Sequence, residues 1–112
     1  MENAKSSFPW ETLKKNSDGM LPVVTQHHET GEVLMVAYMN EEAYLKTLET
    51  GIMTYFSRSR NELWIKGDTS GNYQHVKELY LDCDLDTLLA KVDPVGPACH
   101  TGKNSCFFNK VK

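Results

Sequence analysis

Three cysteines stand in the last third of the chain, at positions 83, 99 and 106. Thiolates are soft ligands that suit zinc, and three protein donors leave the fourth tetrahedral position open to water. A structural zinc is normally closed by a fourth protein ligand, and His100 could supply it, which would make the chain a non-catalytic zinc module. Adjacent residues such as Cys99 and His100 seldom reach one metal without strain, so the preferred reading leaves His100 free for proton transfer. The separations of sixteen and seven residues match no common zinc-finger pattern. A single free cysteine is commonly just a small buried hydrophobe. Three of them among Asp, His and Gly argue for metal chemistry.

The first cysteine lies inside the acidic run DCDLD, with Asp82, Asp84 and Asp86 at alternate positions. If the run is extended, the three carboxylates share one side and Cys83 points to the other. Carboxylates that converge repel unless a cation sits between them, and hard oxygen ligands suit magnesium. The plainer reading is a solvated turn. A second cluster is basic and aromatic. Ser57, Arg58, Ser59 and Arg60 form SRSR, followed by Trp64, Lys66 and the loop GDTSGN with Ser70 and Gly71. Arginine forks and Gly/Ser loop amides bind phosphate, and an indole offers a flat face for a base.

These residues need a scaffold, and the composition allows one modest domain, expected to span residues 1–112. The chain has 112 residues, 40% hydrophobic and 24% charged, with a net charge of −3. That balance argues against a protein whose main partner is a nucleic-acid backbone. The longest apolar run, Val33 to Met39, is far short of the ~20 residues that cross a bilayer. The N-terminus carries no apolar signal region, so a cytoplasmic location is the default expectation.

Residues 1–19 read as a loose lead-in with a short helix from Pro9 to Lys15. Met20 to Gln26 reads as a strand, placed at an edge because Pro22 has no N–H for a ladder. Glu32 to Met39 reads as a strand buried on both faces. Asn40 is a helix N-cap followed by Glu41 and Glu42, and Gly51 is the stop. Ala43, Tyr44 and Leu48 form the buried helix face. Ile52–Ser57, Leu63–Lys66 and Tyr73–Leu81 read as strands. Thr87–Val92 reads as a strand pairing back across the acidic turn, and Cys106–Val111 as a short closing strand. The expected class is therefore a β-rich α+β domain: a small mixed or antiparallel sheet with one or two helices.

The stretches VLMVAYMNEEAY, TYFSRSRNELWIKGDTSGNYQHV, DCDLDTLL and GPACHTGKNSCF, in this order and spacing, resemble phosphoribosyl-AMP cyclohydrolase of histidine biosynthesis. The resemblance runs from about Met20 to Phe107. It implies hydrolytic opening of the N1–C6 bond of the adenine ring of phosphoribosyl-AMP, giving the phosphoribosyl-formimino-aminoimidazole carboxamide ribotide. It implies zinc on Cys83, Cys99 and Cys106, and magnesium on Asp82, Asp84 and Asp86. It further implies an intertwined homodimer whose zinc takes Cys83 from one chain and Cys99 with Cys106 from the other. His27–His28 and Asp93–Val95 depart from the family's usual residues.

The residues suit this chemistry on their own terms. Zinc lowers the pKa of bound water to about 7, which supplies the hydroxide needed to attack an electron-poor purine carbon. His100 is the expected general base, then acid to the departing N1. Arg58, Arg60, Lys66, Ser70 and Gly71 are expected to hold the phosphates, and Trp64 to face the base. Ser57, Ser59 and Thr101 complete the expected substrate contacts. A nucleotide deaminase is the enzymatic rival, but the chain lacks the H-x-E and P-C-x-x-C elements of that group.

Overall fold

A computed structural model describes residues 8–112 of the chain. A four-stranded mixed sheet holds β1 (Leu21–His27), β2 (Val33–Met39), β5 (Gln74–Leu81) and β6 (Leu88–Pro94), in the order β2-β1-β6-β5. β1 runs parallel to β6, and the other two pairings are antiparallel. The helix α1 (Glu41–Thr50) follows β2 and packs with a separate hairpin, β3 (Thr54–Ser57) and β4 (Glu62–Ile65). This is the expected strand-rich α+β class. No helix among the described residues is long and apolar enough to cross a membrane.

Period-2 patterning builds the core. Leu21, Val23 and Thr25 of β1 and Leu88, Ala90 and Val92 of β6 are buried, while the residues between them are half-buried. The apolar ones among them cluster with Met39, Tyr44, Met53 and Tyr55. One polar chain crosses this core. Thr25 Oγ1 lies 2.7 Å from the Tyr55 hydroxyl, which donates to Gln74 Oε1 at 2.7 Å, and Gln74 Nε2 donates to Met35 Sδ at 3.4 Å. Burial pushes the Tyr55 hydroxyl well above the ordinary tyrosine range, against the Thr25 contact, which lowers it.

The helix ends are as read. Asn40 Oδ1 accepts the Ala43 amide at 2.9 Å, and Gly51 closes the helix at φ 75° in the left-handed region. Thr47 fixes α1 to β3: its hydroxyl accepts the Thr54 amide at 3.0 Å and donates to the Thr54 carbonyl at 3.2 Å. Thr47 is the buried helix residue that the apolar pattern overlooks, and Leu48 is half-buried.

Four expectations need correction. β1 is a central strand, not an edge: Pro22 precedes Val23, where pairing to β6 begins, so its missing N–H takes no part in that ladder. β2 is one of the two edge strands, and Val33 and Val36 are exposed, so it is not buried on both faces. Cys106–Val111 forms no strand; this segment is tied to β2 through the Cys106 amide and the Leu34 carbonyl at 2.7 Å. The described part of the lead-in is packed, not loose. Trp10 and Leu13 are buried, and the short helix shrinks to a 3-10 turn at Trp10–Thr12. The remainder, residues 1–7, lies outside the described residues.

Candidate active site

The DCDLD run is a turn, not an extended segment. The Leu85 amide donates to the Asp82 carbonyl at 3.0 Å, and Leu85 itself sits at φ 61°. The turn nonetheless brings one carboxylate oxygen each of Asp82, Asp84 and Asp86 within 4.8 Å of one another. Asp82 Oδ1 accepts the amides of Asp86 and Thr87 at 3.0 and 3.2 Å. Desolvation pulls the Asp82 carboxyl up, but these two amides together with the Asp86 and Asp84 side-chain hydrogen bonds hold it below its ordinary pKa. The hydrogen bond that the Asp86 carboxyl donates to Asp82, then desolvation and Asp84, push Asp86 above its ordinary pKa. The donors are hard oxygens and fit a divalent ion such as magnesium. The lead-in braces this turn, since the Lys14 amide donates to the Leu85 carbonyl at 2.8 Å.

Cys99 and Cys106 come together at the opposite end of β6. Residues 98–104 fold back on themselves through Ala98 N to Asn104 O (3.2 Å), Cys99 N to Lys103 O (3.1 Å) and Gly102 N to Cys99 O (3.0 Å). Thr101 Oγ1 donates to Cys99 Sγ at 3.1 Å and lowers that thiol's pKa, with further help from the Thr101 amide, the Cys106 thiol and Lys66. Burial raises the Cys106 thiol, and its hydrogen bond with Cys99 adds to the rise. The two sulfurs therefore share a site in which the Cys99 thiol is made more acidic and the Cys106 thiol less so. Such a pair fits zinc as part of a donor set. Cys83 is exposed on the acidic turn, and the described residues of one chain hold no cluster that unites it with the other two cysteines.

A cleft of about 320 Å³ opens beside Cys99 and is lined by Trp64, Lys66, Ser70, Asn72, Cys99 and His100 among others. β4 delivers Trp64 to the wall. The GDTSGN loop forms the rim, and two glycines let it close. Gly67, at φ 99°, lies so near the Tyr73 backbone that a Cβ would overlap it, and a Cβ on Gly96 would sit 2.5 Å from Asn72 Oδ1. The Val95 amide to the Tyr73 carbonyl, 2.8 Å, ties the two walls together.

Of the expected site residues, Trp64, Lys66, Ser70, Cys99 and His100 line this cleft. Gly71 stands on its rim loop, and Thr101 sits against Cys99. Lys66 does not offer a free ammonium: it is only 7% exposed and donates to the Ala98 carbonyl at 2.6 Å. Ser57 ends β3, and Arg58, Ser59 and Arg60 lie on the turn to β4; all four are outside the cleft's lining. Arg58 pairs with Asp18 at 3.6 Å and lies 4.2 Å from the Tyr38 ring centre; Arg60 reaches Glu62 at 4.0 Å. Asn72 was not singled out from sequence. Its place directly after Gly71, at the end of a phosphate-type loop, is the signal that points to it.

Comparison with known proteins falls on the same segments. The family model for phosphoribosyl-AMP cyclohydrolase matches residues 35–108, which hold all three cysteines, all three aspartates and the cleft. A protein of Listeria innocua named phosphoribosyl-AMP cyclohydrolase is 62% identical over 96 residues, covering 86% of this chain and 91% of that one. One of the same name from Streptococcus mutans is 63% identical over 97 residues, 87% of this chain and 89% of the relative. The Halorhodospira halophila protein of that name is 59% identical over 102 residues, 91% and 72% of the two chains.

Proposed function

The chain belongs to the phosphoribosyl-AMP cyclohydrolase family, an enzyme family of histidine biosynthesis, and from that premise we propose that it opens the N1–C6 bond of phosphoribosyl-AMP with zinc as its metal. The observation that carries the zinc reading is the Cys99–Cys106 thiol pair set against a cleft that also holds His100. Cys99 and Cys106 of one chain, with Cys83 from the acidic turn of a second, would hold the ion in a homodimer. Two observations support a shared site. Cys83 is exposed and apart from its fellow donors, and exposed Val33, Val36 and Phe107 leave an apolar surface along β2 and the segment bonded to it. Asp82, Asp84 and Asp86 would hold magnesium.

When bound, the zinc supplies Lewis acidity that brings water's deprotonation toward neutral pH. The chain's own residues do the rest. Trp64 stacks on the base and turns C6 toward the cysteine loop. Ser70 and Gly71 receive one phosphate at the rim, and the Ser57–Arg60 turn offers bidentate donors for the other. Thr101 holds the Cys99 sulfur in place. His100 takes a proton from the attacking water and returns it to N1 as the C6–N1 bond breaks. The remaining hydroxyl proton passes to the exocyclic N6, so that C6 becomes the carbonyl carbon and N6 the amide nitrogen of the carboxamide.

Metal analysis and ultraviolet turnover of phosphoribosyl-AMP test this reading. Cys83→Ser, Cys99→Ser and Cys106→Ser should each lose tight zinc together with activity, because a hydroxyl is a poor zinc ligand at neutral pH. A serine variant with full zinc and full turnover would remove that cysteine from the site.

A further inference from the structure

Tyr55 and Trp64 stand directly opposite each other in the β3–β4 ladder, so their side chains share one face of the hairpin. Their ring centres lie 5.4 Å apart, with the planes tilted by 43°. Trp64 lines the cleft, whereas Tyr55 is fully buried. The Tyr55 hydroxyl has one proton, and it goes to Gln74 Oε1 at 2.7 Å. Thr25 Oγ1, 2.7 Å away, therefore donates to the Tyr55 oxygen, in keeping with its lowering effect on that phenol. Gln74 Nε2 carries the chain on to Met35 Sδ. Every donor points the same way, from Thr25 through Tyr55 and Gln74 to Met35, and bonds so aligned polarise one another. Thr25 and Gln74 are as deeply buried as Tyr55, so neither has water to turn to if the hydroxyl is lost. Gln74 also holds the start of the hairpin, because its backbone carbonyl accepts the Met53 amide at 3.0 Å.

We propose that Tyr55 is a positioning residue for base recognition: its hydroxyl, clamped between Thr25 and Gln74, fixes the ring against which Trp64 packs and so sets the platform that meets the adenine ring. The inference rests on the reading of Trp64 as the stacking face. The β3–β4 hairpin is not hydrogen-bonded into the four-stranded sheet as a further strand, so its angle to that sheet depends on such side-chain ties. A protein interior packed at crystal-like density passes the shift of one buried ring to the ring in contact with it. The core thus reaches the cleft through one aromatic pair.

The test compares wild type with Tyr55→Phe, Thr25→Val and Thr25→Ser. The readouts are turnover of phosphoribosyl-AMP, inhibition by AMP and by ribose 5-phosphate, and ¹⁹F spectra of protein labelled with 5-fluorotryptophan. The chain has two tryptophans, Trp10 and Trp64, so the spectrum has one signal for each. In Tyr55→Phe and Thr25→Val, KM should rise about 3- to 10-fold with kcat little changed, the mark of weakened binding in place of slowed chemistry. Inhibition by AMP should weaken by a similar factor, inhibition by ribose 5-phosphate should not, and the Trp64 signal should move while that of Trp10 stays. Thr25→Ser keeps the hydroxyl and should restore the wild-type values.

Wild-type KM and an unmoved Trp64 signal in Tyr55→Phe would overturn the inference. Equal weakening of AMP and ribose 5-phosphate would overturn it in favour of general loosening of the fold. If Tyr55→Phe does not fold, the Thr25 pair decides by the same readouts, and equal behaviour of the Val and Ser variants would overturn it. Trp64→Ala separates the underlying reading. Base stacking on an aromatic side chain contributes about 5- to 150-fold in affinity, and a KM rise in that range is expected. An unchanged KM in Trp64→Ala sinks the platform and the role of Tyr55 together, whereas a rise there without one in Tyr55→Phe sinks the role of Tyr55 alone.

Discussion

His100 and Tyr55 mark two kinds of residue in this chain, one at the open end of the cleft and one sealed in the core. His100→Ala should retain zinc and lose about 10²- to 10⁴-fold in turnover, the usual contribution of a general acid–base group. Single-turnover kinetics with parallel metal analysis check this. Zinc lost in step with activity would instead make His100 a fourth ligand and favour the structural-module reading. Tyr55 carries a prediction about alkaline stability. Its folded pKa is raised, so its contribution is complete below the ordinary tyrosine pKa and is lost as pH rises toward the folded value. Absorbance of phenolate against pH, followed beside circular dichroism, should show Tyr55 ionising last and together with unfolding. Tyr55→Phe removes the donor to Gln74 Oε1 and should cost about 1–3 kcal/mol in denaturant unfolding.

Elements succeed or fail as readings according to how local their causes are. The α1 cap at Asn40 and stop at Gly51 depend on neighbours within four residues, and both were legible. Asn40→Ala should lower stability by about 1 kcal/mol, measured by urea midpoint. The GDTSGN loop was legible as a loop, but the close approach of Gly67 to Tyr73 belongs to three-dimensional packing. Gly67→Ala should destabilise by about 1–3 kcal/mol and distort the cleft rim, seen as a raised KM beside a lowered unfolding midpoint. Pro22 misled because a prolyl nitrogen argues against a ladder only where the ladder reaches it, and the partner β6 lies over sixty residues away in sequence. DCDLD misled because alternate residues converge on an extended strand, yet here a turn with Leu85 in the left-handed region produces the convergence. Candidate donors stand out by residue type alone; the structure groups Asp82, Asp84 and Asp86, and brings Cys99 near Cys106, while Cys83 stays apart from that pair. The direction of Lys66 was not legible, since nothing local dictates that its ammonium meets Ala98.

At the scale of the whole molecule, the separation of Cys83 from the Cys99–Cys106 pair makes a quantitative prediction about assembly. If the site is shared, Cys83→Ser and Cys99→Ser proteins are each inactive, but a mixed dimer contains one fully wild-type site and one doubly defective site. Random reassortment makes about half the dimers mixed, so activity should recover to roughly a quarter of wild type if the sites act independently. Co-expression or joint refolding is required, because an obligate dimer need not exchange subunits. Isolated heterodimers without activity would place all three cysteines in one chain.

The sheet order bears on how the chain comes off the ribosome. β6 slots between β1 and β5, pairing with a strand made more than sixty residues earlier and with the one made just before it. Until Pro94 has emerged, β1 keeps one flank unpaired and the Leu21, Val23 and Thr25 row lacks its neighbours. A nascent chain stalled before β6 therefore presents a hydrophobic strand edge, the kind of edge that recruits other strands. Closing so long a loop before its contacts form also slows folding relative to a helical protein of equal length. Nascent chains arrested before Leu88 should be protease-sensitive and chaperone-bound, while those arrested well past Pro94 should acquire protection in a single step.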